Sequence, residues 1–149
     1  MEQRGREDFW IGRSVLVTGA YGFLAGHLTE RLLAAGARVI GMYRDVPDES
    51  YLRLAGLESR VTLAPGDITS YEDCSRVINE HDCTVVYHIA AQAIVGAANR
   101  APLGAFHTNI IGTCNMLEAC RVLNGSGRTA LVEAVVVASS DKAYGDQAV

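Results

Sequence analysis

The sequence alternates short apolar runs with segments of helical periodicity, and this alternation restricts the chain to few folds. Ser14–Thr18 is an apolar run that ends at glycines, as expected of a strand buried on both faces of a parallel sheet. Leu24, Leu28 and Leu32 then recur at helical spacing before a stop at Gly36. The first third of the chain therefore predicts a strand followed by a crossover helix.

Four more strands and two more helices are predicted farther along the chain. The strands cover residues 38–43, 61–63, 84–88 and 130–138, and the helices cover 71–80 and about 103–123. Because strands joined by helices run parallel, we predict one α/β domain over residues 1–149, with a doubly wound, Rossmann-type sheet of at least five strands between two helical layers. The apolar stripe of the long helix is predicted to contain Phe106, Ile110, Thr113, Leu117 and Cys120.

The composition excludes several classes of function. The net charge is -4 and the basic residues are scattered, so we expect no nucleic-acid partner. No run of 18 apolar residues occurs, so we expect no membrane span. The cysteines show no CxxC spacing and the first residues are charged, so we expect neither a metal site nor a secretion signal. We therefore expect a cytoplasmic protein that acts on small molecules.

Two glycines, Gly19 and Gly22, lie where the first strand ends and the first helix begins. A pyrophosphate needs backbone N–H groups and a helix N-terminus directed at it, and residues without a Cβ let the backbone approach closely. An ordinary tight turn would also use glycine, but the order strand, glycines, helix favours a dinucleotide site.

The nine residues of this turn, TGAYGFLAG, resemble the TGxxGxxG fingerprint of the extended short-chain dehydrogenase/reductase family. Ala25 stands at the third glycine position and Gly26 follows it. The resemblance continues at GDI and HIAAQ, after the third and fourth strands, and covers residues 14–145. It implies that NAD or NADP is bound by Gly19, Tyr21, Gly22, Phe23, Leu24, Tyr43, Arg44, Asp67, Ile68, Ile89, Ala90, Ala91 and Gln92.

The choice between NAD and NADP depends on the end of the second strand. A carboxylate there binds a free ribose 2′-OH, whereas an arginine pairs with a 2′-phosphate. Tyr43 occupies the family's usual acidic position, Arg44 follows it, and Asp45 comes next. The sequence thus leaves both cofactors open with a slight preference for NADP, and Arg44 as a solvated surface charge is an equal alternative. We interpret His88 as a buried, hydrogen-bonded histidine rather than a catalyst.

Ser140, Asp141 and Lys142 follow the fifth strand, at the edge of the sheet where open α/β proteins bind ligands. The Asp-Lys pair resembles that of CDP-glucose 4,6-dehydratases and of inverting UDP-N-acetylglucosamine 4,6-dehydratases. Together, the HIAAQ loop and the SSDKAYG turn resemble the CDP-glucose group most. The resemblance implies a nucleotide-sugar substrate whose reacting hydroxyl is bound by Ser140. It further implies that Asp141 protonates the leaving C6 hydroxyl while Lys142 assists proton removal at C5. The alternative is a surface turn with a solvated ion pair.

The implied reaction removes hydride from sugar C4, eliminates water across C5 and C6, and returns the hydride to C6. Family members activate the C4 hydroxyl with a tyrosine four residues before a lysine, but Lys142 is the only lysine here and Ala138 stands four residues before it. We therefore expect an amino-terminal part of a longer enzyme, inactive alone and homodimeric when complete. A nucleotide-sugar C4 epimerase or reductase remains an alternative, as does a non-catalytic dinucleotide-binding or assembly module.

Overall fold

The computed structural model describes residues 8–127, 132–140 and 145, and these form a five-stranded parallel sheet. The strands lie in the order β3-β2-β1-β4-β5, which is the doubly wound arrangement with its change of direction between β1 and β4. The predicted fold class is thereby confirmed. The strand bounds are β1 Ser14–Thr18, β2 Arg38–Tyr43, β3 Thr62–Pro65, β4 Val85–His88 and β5 Ala134–Val137.

Six α-helices connect or follow these strands within the described residues. They are α1 Phe23–Ala34, α2 Tyr51–Leu54, α3 Tyr71–Glu80, α4 Val95–Arg100, α5 Pro102–Phe106 and α6 Gly112–Asn124. A π-helical turn, His107–Ile111, joins α5 to α6, and short 3-10 turns cover Asp8–Trp10 and Glu58–Arg60. The two short helices α2 and α4 were not predicted, because four to six residues are too few to show a helical period.

Strand β1 is the centre of two apolar cores, one on each face of the sheet. Val15 and Val17 point to the face that α1 covers and pack with Ala25. Leu16 points to the opposite face, where Met116 of α6 and residues of α3 complete the core. Since successive residues of a strand face opposite sides, a central strand between two helical layers is buried on both faces, and its middle residues are apolar. This explains why all five residues of β1 are buried.

Strand β3 is shifted relative to its predicted range, 61–63, and continues through Pro65. Pro65 pairs with Tyr43, and the N–H of Gly66 donates to the Tyr43 carbonyl at 2.8 Å. Proline cannot donate a ladder hydrogen bond, but an edge strand has one side without a neighbour, and β3 is at the edge of the sheet. The expectation that the strand ends before the proline was therefore wrong.

Strand β5 is shorter than its predicted range, 130–138. Val132 is held by Asn124 instead: its N–H donates to Oδ1 at 2.8 Å and its carbonyl accepts from Nδ2 at 2.9 Å. An asparagine at the end of α6 thus replaces the strand pairing that the apolar pattern predicted. Residues 130 and 131 lie outside the described part of the chain.

The buried face of the long helical segment differs from the predicted stripe. Of the predicted stripe, Cys120 is buried, whereas Phe106, Ile110 and Leu117 are exposed. The buried residues of α6 are Gly112, Met116, Ala119, Cys120 and Leu123. The π-helical turn adds one residue to a turn of helix, which rotates the later positions by one residue relative to an unbroken α-helix. Among the described helices, none is long and apolar enough to cross a membrane.

Candidate functional site

A cleft of about 890 Å³ opens at the carboxyl ends of the strands, where the glycine turn meets the loops that follow β2, β3 and β4. Open α/β sheets bind their ligands at this edge. All the residues predicted to contact the dinucleotide line this one cleft: Gly19, Tyr21, Gly22, Phe23, Leu24, Tyr43, Arg44, Asp67, Ile68, Ile89, Ala90, Ala91 and Gln92. The sequence thus located residues that are up to 73 positions apart at one concave surface.

The glycine turn is shaped by two positions at which a side chain does not fit. Gly19 has a φ of +69°, and a Cβ built on it would lie 3.0 Å from the Cα of Ala90. Gly22 donates its N–H to the Gly19 carbonyl at 2.7 Å, and a Cβ on Gly22 would lie 3.0 Å from that oxygen. The turn is therefore too tight for larger residues, which keeps the backbone open toward the cleft.

Helix α1 begins at this turn without a side-chain cap. Gly22 is its N-cap, and neither it nor the first turn supplies an oxygen or an acidic residue for the free amides. The N–H groups of Phe23, Leu24 and Ala25 have no acceptor within the helix, and the positive end of the helix dipole favours an anion there. This end of α1 is suited to bind a phosphate group.

The third glycine position of the fingerprint is filled without disturbing the turn. The methyl group of Ala25 is fully buried in the core between α1 and the sheet, beside Val15 and Val17. Gly26 faces the other way, and a Cβ on it would lie 3.1 Å from the ring of Tyr51 in α2. The displaced glycine therefore serves the packing of α1 against α2, a contact that sequence analysis did not anticipate.

Tyr21 fastens the tip of the glycine turn to the segment after α2. Its hydroxyl donates to Oε1 of Glu58 at 2.8 Å, and Nε of Arg53 donates to the same oxygen at 3.1 Å. Burial and the hydrogen bond to Glu58 raise the pKa of Tyr21, so the phenol stays protonated and continues to donate. The ring of Tyr21 also meets that of Tyr43 edge to face, with centroids 5.4 Å apart.

The end of β2 places one arginine between two carboxylates. Nε of Arg44 lies 2.7 Å from Oδ2 of Asp45, and Nη1 of Arg44 lies 3.8 Å from Oδ2 of Asp67. The hydrogen bond to Asp45 is the main cause of the raised pKa of Arg44. Because the Arg44 side chain is 58% exposed, it can change partners if a ligand with stronger negative charge enters the cleft.

The loop that carries Asp67 and Ile68 is fixed from two directions. Oδ1 of Asp67 accepts from both the N–H and the hydroxyl of Thr69 at 2.8 Å. Nδ2 of Asn115, on α6, donates to the carbonyls of Ile68 and Thr69 at 3.1 and 2.9 Å. Gly112 permits this approach, since a Cβ on it would lie 2.7 Å from Cδ1 of Ile68. Asn115 therefore positions the loop, a role that its place in a helical pattern did not reveal.

The loop that follows β4 is held in a similar way. The hydroxyl oxygen of Thr18 accepts from the N–H groups of Ile89 and Ala90 at 3.0 and 2.9 Å. On the other side, Asn109 accepts from the N–H of Gln92 at 2.7 Å and donates to its carbonyl at 3.2 Å. Asn109 belongs to the π-helical turn, which sequence analysis did not predict.

His88 is buried at the end of β4 with a hydrogen-bond partner at each ring nitrogen, in agreement with the interpretation of a hydrogen-bonded structural histidine. Burial lowers its pKa.

The other residues with a predicted chemical role lie after β5. Ala138 and Ser139 line the cleft, whereas Ser140 is exposed and is not part of the lining. Asp141 and Lys142 lie outside the described residues.

Residues 15–149 match the model of the NAD dependent epimerase/dehydratase family. CDP-glucose 4,6-dehydratase of Salmonella typhimurium is 32% identical over 139 residues, which cover 93% of this chain and 37% of that protein. UDP-glucuronate 4-epimerase 4 of Arabidopsis thaliana is 38% identical over 139 residues, covering 90% of this chain and 30% of that protein. The chain thus spans about a third of the length of these relatives.

The structure is similar to that of UDP-glucose 4-epimerase from Brucella ovis in complex with NAD. The TM-score is 0.75 at 25% identity, and the match covers 92% of this chain and 38% of the epimerase. The similarity in fold agrees with the match in sequence, and the matched residues 15–149 include the glycine turn, the lining loops and β5. The chain belongs to the NAD dependent epimerase/dehydratase family.

Proposed function

We propose that this chain binds a nicotinamide dinucleotide in the cleft, with the pyrophosphate at the N-terminus of α1. The observation that carries the proposal is the combination of an uncapped helix start with glycines that leave no room for a Cβ, at the edge of the sheet where α/β proteins bind ligands. The residues fit the ligand, since free amides, an apolar wall and polar groups line the same cleft.

Different lining residues would contact different parts of the dinucleotide. Gly19, Gly22 and the first amides of α1 would hold the phosphates, and the end of β2 would meet the adenosine ribose. Asp67 and Ile68 would contact the adenine, and the loop 89–92 would contact the ribose and phosphates on the nicotinamide side. When bound, the nicotinamide would accept and return hydride. The chain itself would bind the dinucleotide, orient its nicotinamide and exclude water from the cleft.

We propose NAD as the preferred form of the cofactor. The sequence alone favoured NADP slightly because of Arg44. In the structure, however, Asp45 is hydrogen-bonded to that arginine and Asp67 lies 3.8 Å from it. A 2′-phosphate would bring its charge close to both carboxylates, whereas a 2′-hydroxyl could donate to either of them. The family to which the chain belongs is NAD dependent, which supports the same choice.

For the longer protein we propose a nucleotide-sugar 4,6-dehydratase. Ser140, Asp141 and Lys142 begin three residues after the end of β5, and the two intervening residues, Ala138 and Ser139, line the cleft. Loss of water across C5 and C6 requires an acid for the leaving hydroxyl and a base for the C5 proton, whereas a C4 epimerisation needs acid–base chemistry only at the C4 hydroxyl. The similarity to CDP-glucose 4,6-dehydratase supports this reading.

A nucleotide-sugar 4-epimerase is the second candidate, because several relatives with 36–38% identity are UDP-glucuronate 4-epimerases. A binding or assembly module without turnover is the third. The three differ in their products. A protein that comprises this chain and a Tyr-Lys pair should convert CDP-glucose to a 4-keto-6-deoxy sugar, which mass spectrometry detects as a loss of water. An epimer of unchanged mass, from CDP-glucose or from UDP-glucuronate, would favour the second candidate, and no product from either sugar would favour the third.

Two further measurements follow from this proposal. The chain by itself should show no turnover of nucleotide sugars, since its sequence has no tyrosine four residues before a lysine. In the longer protein, Asp141→Asn should allow oxidation at C4 but stall elimination, so that reduced cofactor accumulates and absorbs near-ultraviolet light. Asp146→Asn, five residues along, provides a matched control. Equal rates for wild type and Asp141→Asn would contradict a role for Asp141.

We also propose that the longer protein is a homodimer and that the long helical segment contacts the second copy. Leu103, Phe106, Ile110 and Leu117 are exposed, and residues 102–117 include no Asp, Glu, Lys or Arg. A self-complementary apolar helix face is suited to a twofold interface. Phe106→Glu should convert a dimer to a monomer in analytical ultracentrifugation, whereas Leu54→Glu, at a more exposed leucine outside this face, should not.

A further inference from the structure

His88 is a buried titratable side chain that the proposed chemistry does not use. It ends β4, is 2% exposed, and connects two other elements through its ring. Nδ1 lies 3.0 Å from the hydroxyl oxygen of Thr18 in β1, and Nε2 lies 3.1 Å from that of Thr113 in α6. These two contacts decide which ring nitrogen carries the proton.

The hydrogen bonds of Thr18 fix the role of Nδ1. A hydroxyl has two lone pairs and one proton. The N–H groups of Ile89 and Ala90 both donate to Oγ1 of Thr18, which occupies the lone pairs. The remaining contact of Oγ1 is the one to His88, so the Thr18 proton is directed at Nδ1. Nδ1 must therefore be an acceptor without a proton.

The opposite side of the ring is consistent with this assignment. A neutral imidazole without a proton on Nδ1 carries it on Nε2. Nε2 then donates to Oγ1 of Thr113, whose own hydroxyl donates to the Asn109 carbonyl at 2.8 Å. A single directed chain of hydrogen bonds thus runs from the amides of Ile89 and Ala90 to the backbone of the π-helical turn.

We propose that His88, as the neutral Nε2–H tautomer, is a positioning residue of the cleft: it orients the Thr18 hydroxyl so that its oxygen holds the Ile89 and Ala90 amides. The inference rests on the proposed function only in assigning the cleft to a dinucleotide. Ala90 is the residue that a Cβ on Gly19 would meet, so the position of this loop also sets the wall of the glycine turn.

The arrangement depends on the ring remaining neutral. Protonation of Nδ1 would direct a third donor at Oγ1 of Thr18, which already receives two N–H groups. The side chains that contact the ring from β1 and α6, Thr18 and Thr113, carry no charge that could compensate an imidazolium. The same burial lowers the pKa of His88 and so keeps the ring neutral near pH 7.

The tautomer is tested first, on the ligand-free chain. Nitrogen-15 NMR of the histidine rings, assigned by the signal lost in His88→Asn, should show an unprotonated Nδ1 and a protonated Nε2 at pH 7. The complementary tautomer, a mixture of the two or a charged ring would overturn the inference. This measurement requires neither a bound dinucleotide nor a folded variant other than the one used for assignment.

The positioning role is tested by two substitutions of similar size, of which only one supplies a hydrogen-bond acceptor. His88→Asn can place a carbonyl oxygen where Nδ1 stands, whereas His88→Leu fills the space without an acceptor. Amide hydrogen exchange of Ile89 and Ala90 should be roughly tenfold faster in His88→Leu and close to wild type in His88→Asn. Equal exchange in all three proteins would overturn the positioning role.

Affinity for NAD separates this inference from the proposed function. His88→Leu should bind NAD roughly tenfold more weakly than wild type, and His88→Asn should restore most of the affinity. If wild type does not bind NAD while the tautomer and the exchange pattern are as expected, the proposed function fails and the inference about the loop stands. If wild type binds NAD and His88→Leu binds it equally well, the inference fails and the proposed function stands.

Discussion

Helices α1 and α3 both begin at the same edge of the sheet, but their first turns are built in opposite ways. Helix α3 starts at Ser70, whose hydroxyl accepts from the Asp73 N–H at 3.1 Å. Its first turn contains Glu72 and Asp73, whose charges suit the positive end of the helix. Helix α1 starts at Gly22, with neither a side-chain cap nor an acidic residue.

The difference separates a helix start that stabilises the fold from one that is open to a ligand. In helix α3 the Ser70 hydroxyl caps the Asp73 amide, and the Asp73 carboxylate also accepts from the N–H of Asp67 at 3.0 Å, which fixes the neighbouring loop. Helix α1 leaves its amides free at the cleft, so its stabilisation depends on an external anion. A cap typically stabilises a helix by about 1 kcal/mol, so its omission at α1 has a cost that binding can offset.

The largest effect is expected from filling the glycine turn. Gly22→Val should weaken NAD binding more than about a hundredfold, because the branched side chain meets the Gly19 carbonyl and occupies the space proposed for phosphate. Isothermal titration calorimetry measures the affinity, and circular dichroism checks that the variant is folded. Gly96→Val is the control, since a Cβ there meets only the end of Arg100 at 3.6 Å. Undiminished binding by Gly22→Val would contradict the phosphate site.

The second prediction extends the comparison to the adenosine end of the cleft. Arg44→Ala should weaken NADP binding roughly tenfold or more and NAD binding less than about threefold, since a guanidinium pairs with a 2′-phosphate more strongly than with a hydroxyl. The two dissociation constants are compared by calorimetry, with Arg121→Ala as a control that keeps the cleft intact. Equal losses of affinity for both cofactors would show that Arg44 does not distinguish a 2′-phosphate from a 2′-hydroxyl.

The third prediction makes α1 resemble α3. Leu24 lies in the first turn of α1, lines the cleft and is exposed, so Leu24→Glu supplies the acid that α3 already has. The variant should be stabilised by up to about 1 kcal/mol in urea unfolding and yet bind NAD roughly tenfold more weakly, because the carboxylate repels the pyrophosphate. Leu24→Gln should show neither change. Ser70→Ala should lose about 1 kcal/mol with unchanged NAD affinity.

The smallest effect concerns the pH dependence of α3. The hydrogen bond from the Asp67 N–H and the contact with Arg76 lower the pKa of Asp73 below its usual 3.8. Because the folded-state pKa is the lower one, the stabilisation is present above pH 3.8 and is lost as the pH falls toward the folded value. In wild type the free energy of unfolding should therefore fall below pH 4, and Asp73→Asn should make that fall smaller. The difference should be less than about 1 kcal/mol, since the carboxylate is partly exposed. An unchanged profile would contradict this role.

Local patterns predicted the elements that have one clear period. Strands β1 and β2 and helix α3 have their predicted bounds, and the glycine turn lies where strand and helix meet. The sequence could not show contacts between distant residues. The bonds from Thr18 to the loop after β4, or from Asn115 to the loop after β3, join positions more than 45 residues apart and leave no local signature. The π-helical turn was not predicted either, because its apolar residues are equally compatible with an unbroken α-helix.

The most direct test of the account compares the starts of α1 and α3 in one titration. Proton–nitrogen NMR spectra of the chain are recorded as NAD is added. The amide signals of Phe23, Leu24 and Ala25 should shift strongly and in a saturable way, whereas the signal of Asp73 should shift much less, because the Ser70 hydroxyl already caps that amide. Saturation without shifts at α1, or equal shifts at both helices, would contradict the claim that the open end of α1 holds the pyrophosphate.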